Sequence, residues 1–227
     1  MKTQHHRNYQ HRRGFTLIEL LVAITIMALL AGALVAIIPQ VQTMAARSNA
    51  SGKLKGIVTA YIAYSSGGSR QKPIYSDGSP KEGGATSPAQ FAEVLARYTE
   101  LNDATSWYIE RDKQLDGVEI PKLVLKNDAN QLSGVKPISW AVVTNAATSP
   151  DANYPLVWTR GLDTGGEWNK DSPWGERGGH IAFGDGHIQF FESLKLKGQK
   201  LIHRKTNEET SSYQDAVGEK ARVLEDK

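Results

Sequence analysis

The chain has 227 residues, 40% of them apolar, no cysteine and a formal net charge of +3. That length allows about one globular domain beyond an apolar segment, and the missing cysteines exclude a disulfide-stapled scaffold. Nucleic-acid binding is not indicated, because Lys2, Arg7, Arg12 and Arg13 lie in the first 14 residues and the remainder carries 23 basic against 24 acidic residues; a nucleic-acid partner needs a basic patch on the folded domain.

Residues 1–14 are polar, contain no Asp or Glu, and include His5, His6 and His11. A metal tract is the weaker reading of those histidines, and a removable leader the better one. Its positive charge, with Arg12 and Arg13 next to the apolar run, orients the N-terminus toward the cytoplasm.

Phe15–Ile38 is a nearly unbroken apolar run whose only ionisable side chain is Glu19. As a helix it is roughly 36 Å long, enough to cross a hydrocarbon core of about 30 Å with some tilt. A carboxylate inside such a segment costs a few kcal/mol and calls for a partner or a job. A cut after Gly14 would supply the partner, the new α-amino group of Phe15, on the same helix or on a neighbouring subunit. Two plainer readings compete: a secretory signal cleaved near Ala31-Gly32-Ala33, and an uncut membrane anchor. Neither accounts for Glu19.

The string Gly14-Phe15-Thr16-Leu17-Ile18-Glu19-Leu20 resembles the prepilin leader of type IV pilins and type II secretion pseudopilins. The resemblance implies cleavage after Gly14 and N-methylation of Phe15 by a prepilin peptidase, with Glu19 registering subunits in a helical filament. It further implies, as partners, other pilin or pseudopilin subunits and an inner-membrane assembly platform. The implied location is the inner membrane, crossed once, with the head in the periplasm.

Beyond Pro39 the pattern turns amphipathic, with Val41, Met44, Ala45, Ser48, Leu54, Ile57, Val58 and Tyr61 at helical spacing. Proline predicts a kink in one long helix rather than its end, and Gly67-Gly68 a stop. Residues 65–88, rich in Gly, Ser and Pro, read as an exposed loop. Pro88 then opens a short helix through Tyr98 with Phe91, Val94 and Leu95 on one face. Strands are expected at Ser106–Ile109, Lys122–Leu125, Ile138–Thr144 and Leu156–Thr159, between turn signals.

Asp185-Gly186, flanked by alternating apolar residues, predicts a hairpin with a two-residue turn, pairing Phe183 with Ile188 and Ile181 with Phe190. A three-residue turn would mix Phe183 with His187 and is set aside. Gly178 and Phe183–Ile188 resemble a C-terminal motif of pilin-like proteins from planctomycetes and related bacteria. That motif is named for a histidine nine residues before Asp-Gly, and here the position is Gly175. His180, Asp185 and His187 do not make a metal or catalytic site: in this register the histidines share a face but lie roughly 13 Å apart along the strands.

Asp151, Asp163 and Asp171, in Gly-rich loops, are weak calcium candidates; major type II pseudopilins, which this chain resembles, use a calcium-stabilised loop in this part of the fold. No other cofactor is expected. Trp140, Trp158, Trp168 and Trp174 read mainly as core, with an aromatic binding surface as the lesser alternative. Residues after Leu194 read as a charged, loosely held tail or a short surface helix.

The expected fold class is therefore α+β and pilin-like, a long N-terminal helix packed on a small antiparallel sheet. Its segments are a leader at 1–14, a membrane helix at 15–38, an amphipathic continuation at 39–66, a periplasmic head at 67–194 and a tail at 195–227. The expected role is a non-enzymatic filament subunit. The alternative is a membrane-anchored module whose Trp-rich head binds a glycan or protein and which uses the leader only for delivery.

Overall fold

The computed structural model describes residues 15–67, 72–146 and 150–226, apart from the side chains of Leu34 and Ala36. The chain divides into two compact units, Met1–Ala45 and Ala46–Lys227. One helix, α1 (Leu17–Ser66), contributes to both.

In the N-terminal unit the apolar side chains of α1 stand exposed, from Leu17 and Ile18 through Leu30 to Ile37, Val41 and Met44. Among the described residues, no single helix is long and apolar enough to pass as a membrane span. The segments Leu17–Ala33 and Ile37–Ser66, bent by 42° at the break between them, pass together on length and composition. The break precedes Pro39, the expected kink site, by one turn. Proline cannot donate to the carbonyl four residues earlier, that of Val35, so the ladder opens on its N-terminal side.

The head begins where the burial pattern of α1 changes. Ala50, Leu54, Ile57, Val58 and Tyr61 are buried, at the three- and four-residue spacing that puts them on one stripe. Val41 and Met44, expected on this stripe, are exposed and belong to the other unit. Their spacing is helical, but no head residue covers them.

The second helix, α2 (Pro88–Tyr98), starts where expected. Ser87 accepts from the Gln90 N–H, Pro88 occupies the first turn, and Phe91, Val94 and Leu95 are buried. Tyr61 of α1 stacks on Phe91 at 5.9 Å, and Phe91 meets the edge of Trp107 at 6.2 Å. Residues 65–88 form the expected loop, though Ile74 and Ala85 are fully buried within it.

Strands follow as β1 (Leu125–Lys126), β2 (Ala129–Asn130), β3 (Trp140–Thr144), β4 (Pro155–Thr159), β5 (Gly179–Phe183), β6 (Ile188–Phe191), β7 (Leu201–Ile202) and β8 (Glu209–Thr210). A short helix α3 (Tyr213–Val217) and β9 (Arg222–Leu224) close the chain. The main sheet is antiparallel in the order β6-β5-β4-β3-β9, and β1-β2 and β7-β8 are separate small pairs. A long helix followed by a small antiparallel sheet is the expected α+β layout. The segment expected as a strand at Ser106–Ile109 opens instead as a 3-10 turn, Ala104–Trp107, because Asp103 caps the Thr105 N–H.

The residues after Leu194 are not a loose tail. β9 pairs with β3 through Val142↔Leu224, Val143↔Val223 and Thr144↔Arg222. Leu201, Ala216 and Val217 enter the core. Asp226 is buried, accepting from the Ile138 N–H and paired with Lys136. A second buried charge pins the middle of the head: Arg160 pairs with Asp112 at 3.0 Å and also donates to the carbonyls of Ile138 and Asp171, while Ser139 donates to the other Asp112 oxygen.

Candidate functional site

The first turn of α1 is the most specific feature of the chain. Thr16 is its N-cap: the Thr16 hydroxyl accepts from the Glu19 N–H at 3.3 Å, and Glu19 Oε2 accepts from the Thr16 N–H at 2.8 Å. The Thr16 hydroxyl also donates to Glu19 Oε2 at 2.9 Å. This reciprocal pair is a capping box, which satisfies two of the helix's orphan donors. The acidic side chain also faces the positive end of the helix dipole. Glu19 thus has a local partner that the sequence reading overlooked, although the Thr-x-x-Glu spacing ahead of an apolar run is its signature.

Phe15 is 90% exposed, and beyond it the apolar surface of α1 continues along the whole N-terminal unit. Such a surface is far larger than soluble monomers leave uncovered. It can bury itself in lipid or against other helices of the same kind, and in either place Glu19 is the one carboxylate. Arg12, Arg13 and Gly14 lie outside the described residues.

The hairpin near the C-terminus forms, but in a different register from the one expected. Ala182 pairs with Ile188, Ile181 with Gln189 and His180 with Phe190, so the loop has three residues, Gly184-Asp185-Gly186. The Gly186 N–H donates to the Phe183 carbonyl, and Gly186 takes φ +82°. That is a type I turn closed by a left-handed residue. Asp185 Oδ1 accepts from the His187 N–H, and the His187 ring stacks on Phe183 at 4.3 Å. The rejected pairing of Phe183 with His187 is therefore the real one.

The loop seats on α1 of the head. Lys55 donates to the Gly186 carbonyl, and a Cβ at residue 186 would come within 3.1 Å of Lys55 Nζ and 3.6 Å of Val58 Cγ1.

The shifted register also separates the two histidines. His187 shares a face with Phe183, and His180 points the other way. His180 is buried between the edges of Trp174 at 6.0 Å and Phe190 at 4.9 Å, and its Nδ1 has no partner. Burial, and secondarily the charge of Arg47, lower its pKa to about 4. It is a neutral packing residue at ordinary pH.

The calcium candidates sit in separate turns. Asp151 caps the Asn153 N–H and pairs with Arg204, Asp163 caps the Glu167 N–H, and Asp171 offers its carbonyl to Arg160. Among the described residues no group of three His, Cys, Asp or Glu side chains is placed to hold a metal ion. Trp140, Trp158, Trp168 and Trp174 are all buried, as is Trp107, so they offer no aromatic platform.

Residues 9–35 match the family model for the prokaryotic N-terminal methylation motif. The match covers the end of the leader, the capping box and the first half of the exposed apolar helix. It supports a type IV pilin-like chain with an N-terminal helix that anchors in a membrane, the substrate of a prepilin peptidase and a partner of other pilin-like subunits. Proteins carrying this motif are structural rather than catalytic. No curated protein and no solved structure matches the chain.

Proposed function

We propose that this protein is a prepilin-like filament subunit, cut between Gly14 and Phe15, N-methylated on Phe15, and assembled through its apolar helix. The product is a type II secretion pseudopilus or a type IV pilus-like fibre. The observation that carries the reading is the exposed apolar surface of α1, interrupted only by Glu19, lying within the methylation motif. Before assembly the subunit waits in the inner membrane, its N-terminus cytoplasmic and its head periplasmic, held by one bent span. In the filament, lipid contacts on α1 are exchanged for contacts with neighbouring helices. Glu19 then trades its Thr16 partners for the amino terminus of an adjacent subunit, a charge pair that desolvation strengthens. The protein performs no chemistry of its own.

The deciding experiment is intact mass and N-terminal sequencing of the protein from membranes of its native host. N-methylated phenylalanine at position 15 is the expected start. An uncut Met1, or a start near Leu34, would sink the reading.

A further inference from the structure

Arg47 is the first charged residue after Glu19. The 28 residues of helix between them rise roughly 42 Å, close to the 40–45 Å of a bilayer with its headgroups. The bend in α1 shortens the span, and arginine side chains on a helix lean toward its N-terminus. On the membrane-anchored reading proposed above, on which this inference rests, Arg47 therefore sits at headgroup level.

The head holds this arginine in an unusual way. Its guanidinium lies over the ring of Phe190 on edge strand β6, 3.9 Å from the centroid. Among the described residues Arg47 forms no ion pair and no hydrogen bond, and its Nε is buried without a partner. Arg97, Arg160 and Arg204, by contrast, are all paired with carboxylates. The like charge that Arg47 feels most is Arg177, whose Nε donates to the Trp174 carbonyl. Both arginines are thus tied to one aromatic row, Trp174–His180–Phe190. Glu192 offsets part of their charge but forms no ion pair with either.

Two guanidinium groups held near one another, with donors to spare, are a receptor for a phosphate, which arginine binds through paired N–H groups. We propose that Arg47 and Arg177 bind the phosphate of an anionic phospholipid headgroup, anchoring the head to the membrane surface before assembly. The Phe190 ring fixes the Arg47 guanidinium so that little side-chain freedom is lost on binding.

The test uses the full chain reconstituted into vesicles of phosphatidylcholine alone or doped with phosphatidylglycerol. Flotation is measured first, then the phosphatidylglycerol that stays bound on extraction, counted by native mass spectrometry. Arg47→Gln and Arg177→Gln should each lower that retention roughly fivefold, and Arg47→Lys should restore much of it. All variants should still float on phosphatidylcholine, because flotation depends on the apolar helix. Unchanged retention in Arg47→Gln/Arg177→Gln, with flotation intact, overturns the lipid site alone. Displacement of phosphatidylglycerol by inorganic phosphate at equal concentration would make this a free-phosphate site and also overturn it. A wild-type chain that floats on neither vesicle overturns both the site and the membrane anchoring.

Discussion

The two halves of α1 share a helix and little else. Through residue 45 the helix presents apolar side chains outward, whereas from Ala50 onward its apolar stripe is buried against the head. A helix that buries one stripe gains most of its stability from that packing. The first half has no such support within the chain, so its stability and its purpose lie in lipid or in other subunits. One continuous element therefore serves both as core and as an unfinished interface.

Substitutions can break that comparison at either end. The largest expected effect lies in the head, where Asp112→Ala would strand Arg160 as an uncompensated buried charge. The cost is about 3–5 kcal/mol, which should lower the melting temperature of the detergent-solubilised chain by about 10 °C. Near-UV circular dichroism of the buried tryptophans reads it directly. A matched pair of leucines sharpens the contrast within α1. Leu54→Ala should cost about 2–5 kcal/mol, while Leu30→Ala should change head stability by no more than about 0.5 kcal/mol. Equal losses at the two positions would show that the first half also folds against the head.

A third test is acid titration. The folded head holds His180 near pKa about 4, against 6.5 for the free side chain. As pH falls below about 6.5, the unfolded chain takes up a proton that the folded chain refuses. The contribution of His180 is therefore complete above about 6.5 and is lost as pH drops toward 4, by up to about 3 kcal/mol. His180→Phe should flatten that part of the stability curve. The smallest effect is expected from Thr16→Ala, which removes the cap of α1 at a cost of about 1 kcal/mol. Helix content should fall slightly in micelles while the head melts unchanged. A shifted head transition would contradict the separation of the two units.

What could be read from sequence follows the same division. The N-terminal unit is legible because its signals are local: the apolar run, the lone carboxylate, and a cut site within five residues of it. α2, β3 and β4 were legible from caps and apolar runs in the same way. The hairpin was placed correctly but paired wrongly, because alternation was used to choose the turn. β5 is buried on both faces, so alternation carries no phase there, and Gly186 at positive φ admits a three-residue loop equally well. The last 30 residues were misjudged on charge. Their few apolar residues, such as Leu201, Ala216 and Val217, are widely spaced, and nothing local announces that β9 pairs with a strand some 80 residues earlier. The pairs Asp112–Arg160 and Arg47–Phe190 are equally non-local.

The position of β9 also sets a clock. The edge of the main sheet that Val142–Thr144 offer is covered only by residues 222–224, which are among the last to be synthesised. Until they arrive, β3 is an open edge and the backbone of Ile138 lacks the Asp226 carboxylate that later accepts its N–H. Long-range closure of this kind is slow and leaves strand edges open to other chains. The head cannot be completed while its final residues are still being made or moved. Assembly-competent subunits are thereby distinguished from unfinished ones by the chain's own ending, without any separate inspection step.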